Sequence, residues 1–479
     1  MKRHWYSTAL KGVAVLPLTL AFSFSAAPAT AQDKKTVPFL TAESSPEAVD
    51  QLNKIIEQFE TENPEIDVEL QLMSNDDRMS RAINAVAVGE ELGIFEIERR
   101  LVPDFTRAGY LLQLDSIVEE IGIESFIPGS LLYWPWDGHL YQMTADMSGA
   151  QIYWRKDLFE KAGLAEPDSY ERLLEASQRL HGQEGVSGNA FESSNNGAVQ
   201  RFVTFLWQNC GDFYTKTGEL AFDRPGSKQA TEDYAELNKY APAGNHSWGN
   251  LDPINSYIAG RVGIALFPGR LAYQAGTNAP DIAKVTGVRE PRVARGGKGP
   301  RVVYGAITGY AIGSTVKHPE EAKKFLQYIL TGQPLLDYSM AVPGHNAPPI
   351  KEIQAQVLEQ DDPYVKEHRD WIELIFETVK IANHEVQNMG SITDDCRFEK
   401  SMVPMPWSAR VMGQEPVVSR MFQEISLQDR PVEEAYQDAV ERFRTEMDAW
   451  KQENTWFTPP DPNWQPPGMD AAQAEQPAN

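Results

Sequence analysis

Hydrophobic positions along this chain change spacing in a regular order. In "TVPFLTA" (36–42) apolar residues run almost unbroken, as in a strand buried on both faces. "SSPEAVDQLNKIIEQFETENP" (44–64) then places Val49, Leu52, Ile55, Ile56 and Phe59 on one face of a helix, with Ser45 as its cap and Pro46 in the first turn. Pro64 closes that helix, and "IDVELQL" (66–72) alternates as a half-buried strand does. Strand, helix, strand in this order predicts a βαβ unit, hence a mainly parallel sheet with a right-handed crossover. The rhythm continues with a helix near 77–88, a strand at "GIFEI" (93–97) and a helix running into "TRAGYLLQLD" (106–115).

From Asp157 the helical spacing dominates. "DLFEKAG" ends at Gly163 as a C-terminal cap, and "DSYERLLEASQRLH" (168–181) opens with Asp168 and Glu171 spaced as a capping pair. Further helices are expected at 197–208, 227–240, 252–259 and 318–330, and strands at "RVGIALF" (261–267) and "YGAITGYAIG" (304–313). The last helix, Pro431 to about Asn454, puts Val432, Ala435, Tyr436, Ala439, Val440, Phe443, Met447 and Trp450 on one face. The fold class is therefore α/β, and no internal repeat is visible. One stretch departs from the pattern. "HLYQMTADMSGAQIYWRKDLF" (139–159) reads as two strand-like pieces around a polar break holding Asp146 and Ser148. It is either a surface turn or a ligand-lined passage between domains.

At 479 residues the chain exceeds one ordinary domain. Residues 1–31 have a basic start (Lys2, Arg3, Lys11), an apolar stretch and "ATA" before Gln32, and read as a signal peptide cleaved after Ala31. No cysteine follows that point directly, so no lipid anchor is expected, and a periplasmic location is. The net charge of −24 becomes −27 once the three leader cations are removed, which argues against nucleic acid or anionic membrane as a partner. The two cysteines, Cys210 and Cys396, either pair or stay as separate buried thiols. The Pro-rich tail, 457–479, is expected to be loosely ordered.

Catalytic signatures are missing: there is no GxSxG elbow, HExxH pair or Walker-type phosphate loop, and the eight histidines are scattered. Sixty-eight acidic residues make a hydrolytic carboxylate pair uninformative as a signal. The chain offers instead aromatic and planar polar residues in loops after strands, where open α/β sheets bind ligands. Aromatic faces suit the C–H faces of sugars, and Asp, Glu, Asn and Arg suit their hydroxyls.

Five stretches in the right order carry a resemblance that spans about 35–450: "LNKIIEQFETENPEIDVEL", "DFTRAGYLLQLD", "WDGHLYQMTADMSGAQIYWRKDLFEKAGL", "YIAGRVGIALFPGR" and "TGYAIGSTVKHPEEAKKFLQYI". They resemble the extracellular solute-binding proteins of ABC importers, in the family-1 carbohydrate-binding group that includes maltose-binding protein. The resemblance implies a two-lobe, Venus-flytrap α/β fold with hinge strands between the lobes. Lobe one would hold 33–145 and 308–345, and lobe two 149–304 and 346–455. Crossings would fall near 145–148, near 305–308 and after about 345. The implied function is capture of a sugar or glycoside by hinge closure and delivery to membrane permease subunits. The chain would act as a monomer, without a cofactor and without covalent chemistry. Another polar solute (polyol, sugar acid or polyamine) is the alternative, and a secreted carbohydrate-active enzyme the alternative of another class.

Mapped position by position, the resemblance implies ligand contacts at Glu43 and Ser44 after the first strand, and at Arg99 and Arg100 after "GIFEI". It places Asp146 and Ser148 at the crossover, and Glu192 and Trp248 in loops of lobe two. Arg270 stands where many relatives have a stacking Trp, a departure that points to a more polar or acidic ligand. Tyr310 keeps an aromatic at a family Trp position, and His345 and Asn346 lie where relatives often have an arginine contact.

Overall fold

The computed structural model describes residues 34–461, apart from 194, 385–387, 402 and 415, together with Trp464. The expected leader, and all of the expected tail past Asp461 except Trp464, lie outside the described residues. Among the described residues there are ten strands: β1 (Lys35–Thr41), β2 (Ile66–Leu72), β3 (Ile94–Glu96), β4 (Tyr133–Trp134), β5 (His139–Leu140), β6 (Met143–Arg155), β7 (Ile264–Pro268), β8 (Thr286–Arg289), β9 (Val303–Ile312) and β10 (Ala382–His384). Eight of them form one sheet, in the order β2-β1-β3-β9-β6-β7, with β8 also on β6 and β10 on β9; β4 and β5 form a separate hairpin.

The predicted βαβ unit is there. β1 pairs in parallel with β2 and β3 around the helix Pro46–Glu62, which buries Leu52, Ile55, Ile56 and Phe59. Two expectations about caps need correction. Ser45 occupies the N-cap position but its side chain makes no cap hydrogen bond, and the next helix of the capping-pair type starts one residue later than read. There Ser169, not Asp168, accepts from the Arg172 amide, while Asp168 pairs with the Arg172 guanidinium. An aspartate one residue outside the cap reaches the side chain four residues on more readily than the orphan amides.

The polar break in "HLYQMTADMSGAQIYWRKDLF" is not a break. β6 runs for 13 residues straight through it, with the first twelve buried and one irregularity between Thr144 and Asp146. A surface turn is thereby excluded, because the segment is buried and pairs with β9, with Met147 also bridged to Ala347 on its other side. The first half of β6 pairs with β9 from Met143 to Gly149, and the second half pairs with β7 and β8 from Ala150 onward. β6 and β9 thus each belong to both ends of the molecule. At one end β3 closes on Tyr310–Ile312 of β9; at the other β10 runs beside Val303–Gly305.

Each end carries its own apolar packing. Around β1–β3, Phe39, Phe59 and Phe325 meet edge to face. Around the far end, the helix Asn195–Gln208 and the last helix, Val432–Glu453, bury Phe202, Phe213, Phe222, Tyr436 and Phe443 together. Cys210 and Cys396 are joined by a disulfide there. Beside it, buried Asp212 accepts from the amides of Phe213, Ser391 and Ile392, so one carboxylate fastens the 391–392 turn to the 212 loop.

Candidate functional site

The turn after β1 is built around Glu43. Its Oε1 accepts from the backbone amides of Ser44 at 2.8 Å and Ser45 at 2.7 Å, and its Oε2 accepts from the Tyr338 hydroxyl at 3.2 Å. Burial alone would raise this carboxyl; the bonds from Ser45 and Ser44 hold it below the usual range. A second carboxylate, Glu96 at the end of β3, fixes the base of the same turn. Its Oε2 accepts from Thr41 Oγ1 at 2.9 Å and from the Ala42 amide at 2.8 Å. Buried Arg78 lies 3.2 Å from its other oxygen. Tyr310 turns its hydroxyl to within 3.2 Å of Thr41 Oγ1, while its ring meets Phe39 edge to face inside the core.

Asp146 comes to this cluster from β6. It is only 7% exposed and sits opposite Thr308. Burial, then the Glu43 charge, pushes its carboxyl well above the ordinary aspartate range, partly offset by a hydrogen bond from Thr308. Arg270, first residue of the helix Arg270–Asn278, reaches back to Ser45, its Nη2 lying 3.4 Å from Ser45 Oγ. Burial, then Arg270, lowers His345 to about 4, so the ring is neutral at pH 7. The bridge between Met147 and Ala347 sets Asn346 beside Ser148, on the side of β6 that Asp146 also takes by strand alternation. Three of these groups keep unused hydrogen-bonding capacity although buried: Arg270 Nε, His345 Nδ1 and Asn346 Nδ2.

Six of the residues expected to contact a ligand (Glu43, Asp146, Ser148, Arg270, His345 and Asn346) therefore come together, and Tyr310 backs them. Ser44 lends its amide to Glu43 while its side chain is exposed. The rest lie elsewhere. Arg99 donates to the Ser130 carbonyl at 3.1 Å, beside Lys400, which donates to the Pro128 carbonyl at 3.0 Å. Burial, then the Arg99 charge, lowers the Lys400 ammonium to about 7. Arg100 pairs with Glu98 at 2.5 Å, and its carbonyl accepts from Ser408 Oγ. Glu192 is fully buried 3.2 Å from Arg201 Nε, whose guanidinium lies over the Phe267 ring. Trp248 is half-buried against the apolar cluster that includes Ile254 and Tyr257.

Thr41, Arg78, Glu96 and Tyr338 are participants that the sequence reading missed. Glu96, the one charged residue in "GIFEI", carried a signal: a carboxylate in a central strand needs a buried partner. Among the described residues no group of three or more His, Cys, Asp or Glu is arranged to hold a metal ion, and no helix is long and apolar enough to cross a membrane.

The family model for bacterial extracellular solute-binding proteins matches residues 42–332, more than half of the chain. The chain belongs to that family. A Brucella abortus protein, provisionally named a binding protein, is 25% identical over 340 residues, covering 68% of this chain and 77% of its own. The solved structure of a maltose-bound Thermotoga maritima protein, MalE3, superposes with a TM-score of 0.70 at 18% identity, over 86% of this chain and 99% of that one. An Agrobacterium radiobacter ABC transporter solute-binding protein in complex with ribitol gives 0.68 at 15% identity, over 86% and 99%. These likenesses establish the two-lobe periplasmic-binding-protein fold of mixed α/β type. The family and these neighbours are binding proteins.

Proposed function

We propose that this protein captures a polyhydroxylated small solute, a sugar, glycoside or related polyol, between its two lobes and delivers it to the permease of an ABC importer from the periplasm. The observation that carries the reading is the meeting of Glu43, Asp146, Arg270, His345 and Asn346. These side chains come from four separate stretches of chain, and three of them keep buried hydrogen-bonding atoms without partners. Ionised Glu43 is an acceptor, Asn346 a donor, and neutral His345 offers one of each, a set matched to hydroxyl groups. Maltose in MalE3 and ribitol in the Agrobacterium protein support the same class. Arg270 in place of a stacking ring favours a ligand held more by hydrogen bonds than by ring faces, and leaves a sugar acid as the second reading.

The lobe division we propose follows the strand pairing. Lobe one is built on β1–β3 and the last turn of β9, lobe two on β7, β8, β10 and the C-terminal helices, and β6 and β9 are the hinge strands. Residues 349–351 go with lobe one, since the Ile127 amide donates to Pro349 and Lys351 Nζ to Glu124. Binding, without covalent change, is the whole of the chemistry; closure is favoured because the solute touches both lobes only when they are together.

The test is a titration of intrinsic tryptophan fluorescence with maltose, ribitol, mannitol and glucuronate, with chromatography of the mixtures afterwards. A saturable change with solute recovered intact supports the reading. Conversion of any solute, or no saturable change with all four, overturns it.

A further inference from the structure

Beyond the last helix the chain does something that solute capture does not require. Asn454 caps that helix, its side chain donating to the Trp450 carbonyl at 2.8 Å and its own carbonyl accepting from the Phe457 amide at 3.0 Å. The tight turn places two neighbouring rings, 6.1 Å apart, at the junction of two apolar clusters. Phe457 lies 5.5 Å from the Trp407 ring and 5.6 Å from Trp450, within the apolar packing of the C-terminal helices, and 6.0 Å from Trp136 of the hairpin. Trp456 touches Trp450 on that side at 5.9 Å and spans across to Trp136 at 5.8 Å and Trp134 at 6.4 Å. Both of those belong to the hairpin β4–β5, which is rooted beside β3: Trp134 packs with Phe95, Phe105 and Leu111, and the Leu114 amide donates to Leu140. Two polar contacts complete the crossing. Trp136 Nε1 donates to the Thr458 carbonyl at 3.0 Å, and the Arg107 guanidinium lies 5.3 Å from the centre of the Trp456 ring. Trp136 and Trp456 are each half-buried and packed against both apolar clusters at once.

We propose that residues 454–458 are a noncovalent strap between the lobes, and that the Trp456–Trp136 contact biases the open–closed balance toward the closed form. The inference rests on the reading of two lobes that open and close. Strands β6 and β9 link the lobes covalently and bend; this contact forms between side chains, so opening must either break it or pull the hairpin along. A ring pair with a cation on one face is desolvated when formed and hydrated when broken, which gives the strap a preference between the two states. A solute that needs the closed form then binds more tightly than the cleft contacts alone would give.

The experiment needs no solute for its first arm. Solution X-ray scattering of the ligand-free full chain should show a larger radius of gyration for Trp456→Ala than for the parent, at unchanged far-UV ellipticity. Trp136→Leu attacks the same contact from the other lobe, at a half-exposed turn position that tolerates substitution, and should give the same increase. Scattering that superposes on the parent for either variant overturns the strap, whether or not any solute binds. In the second arm, whichever of maltose, ribitol, mannitol or glucuronate binds the parent should bind both variants about three- to tenfold more weakly, the range of one aromatic contact. Equal affinity overturns the bias toward closure. Failure of all four solutes to bind the parent tells against the proposed function while leaving the scattering result standing.

Discussion

Asp146 and Glu192 are both buried carboxylates in places where the sequence suggested a ligand contact, and their surroundings differ in one respect. Glu192 has a cation within 3.2 Å in the same lobe, with both members of the pair fully enclosed. Asp146 has no such cation among its neighbours; the charge nearest in effect is that of Glu43, another acid. The first is therefore a closed arrangement in that acid and cation are enclosed together, although burial outweighs the cation and neither carboxylate oxygen accepts a hydrogen bond. The second faces another acid, in the cluster that holds the unpartnered atoms Arg270 Nε, His345 Nδ1 and Asn346 Nδ2. Position in sequence did not distinguish them. What distinguishes the two carboxylates is the sign of the charge each one faces.

The largest effect should come from opening the closed arrangement. Glu192→Met leaves the Arg201 guanidinium buried without a counter-charge, and should cost about 3–5 kcal/mol in denaturant unfolding. Arg201→Met should cost clearly less, because an orphaned carboxyl can take up a proton whereas a guanidinium cannot lose one. Equal losses would break the comparison. Next comes pH. Burial outweighs Arg201 and, with Asp252 adding to it, raises Glu192 from 4.5 to about 7. Between those values the folded state holds a proton that the unfolded state has released. Stability should thus be full below pH 4.5 and fall as pH rises toward 7, by at most about 1.4 kcal/mol per unit. Glu192→Gln should flatten that slope in equilibrium unfolding measured at several pH values.

Asp146→Asn probes the other arrangement. It removes a group whose ionisation burial opposes, so the variant should melt higher than the parent near neutral pH, with the gap closing in acid. Its affinity for a solute that the parent binds should nonetheless drop, by about 1–3 kcal/mol, the worth of a hydrogen bond to a charged or buried partner. Calorimetric titration giving unchanged affinity would reduce Asp146 to a packing residue. The smallest effect belongs to an ordinary surface feature far from either carboxylate: Ser169→Ala should lower stability by about 1 kcal/mol, and Asp168→Ala by less, if Ser169 is the true cap.

Much of the fold was legible because short-range physics sets it. The β1–helix–β2 unit follows from a run, a 3.6-residue period and an alternation, and the last helix from eight apolar residues on one face. The site was legible in part. Glu43, Asp146 and Arg270 could be placed by resemblance, since each stands at a fixed distance from a recognisable strand or helix. Arg99 and Arg100 stood just as close to β3, yet they turn to Ser130, Glu98 and Ser408. Their partners lie 31 and 308 residues away in two of those cases, and no local pattern announces them. Tyr338, inside a largely apolar helix, is core except for the one atom that reaches Glu43, and nothing in the local pattern marks that atom.

The sequence by itself determined the α/β alternation, the order of the elements, the acidic surface and the family. Those depend on periodicity, composition and motif order, which are properties of neighbours in the chain. Only the tertiary structure decided that "ADMSG" lies within one continuous strand and that Cys210 meets Cys396. It alone showed that Glu192 faces Arg201 while Asp146 faces Glu43, and that Trp456 touches Trp136. Each of these depends on which distant residue arrives, and in a packed interior arrival is settled by the whole fold at once.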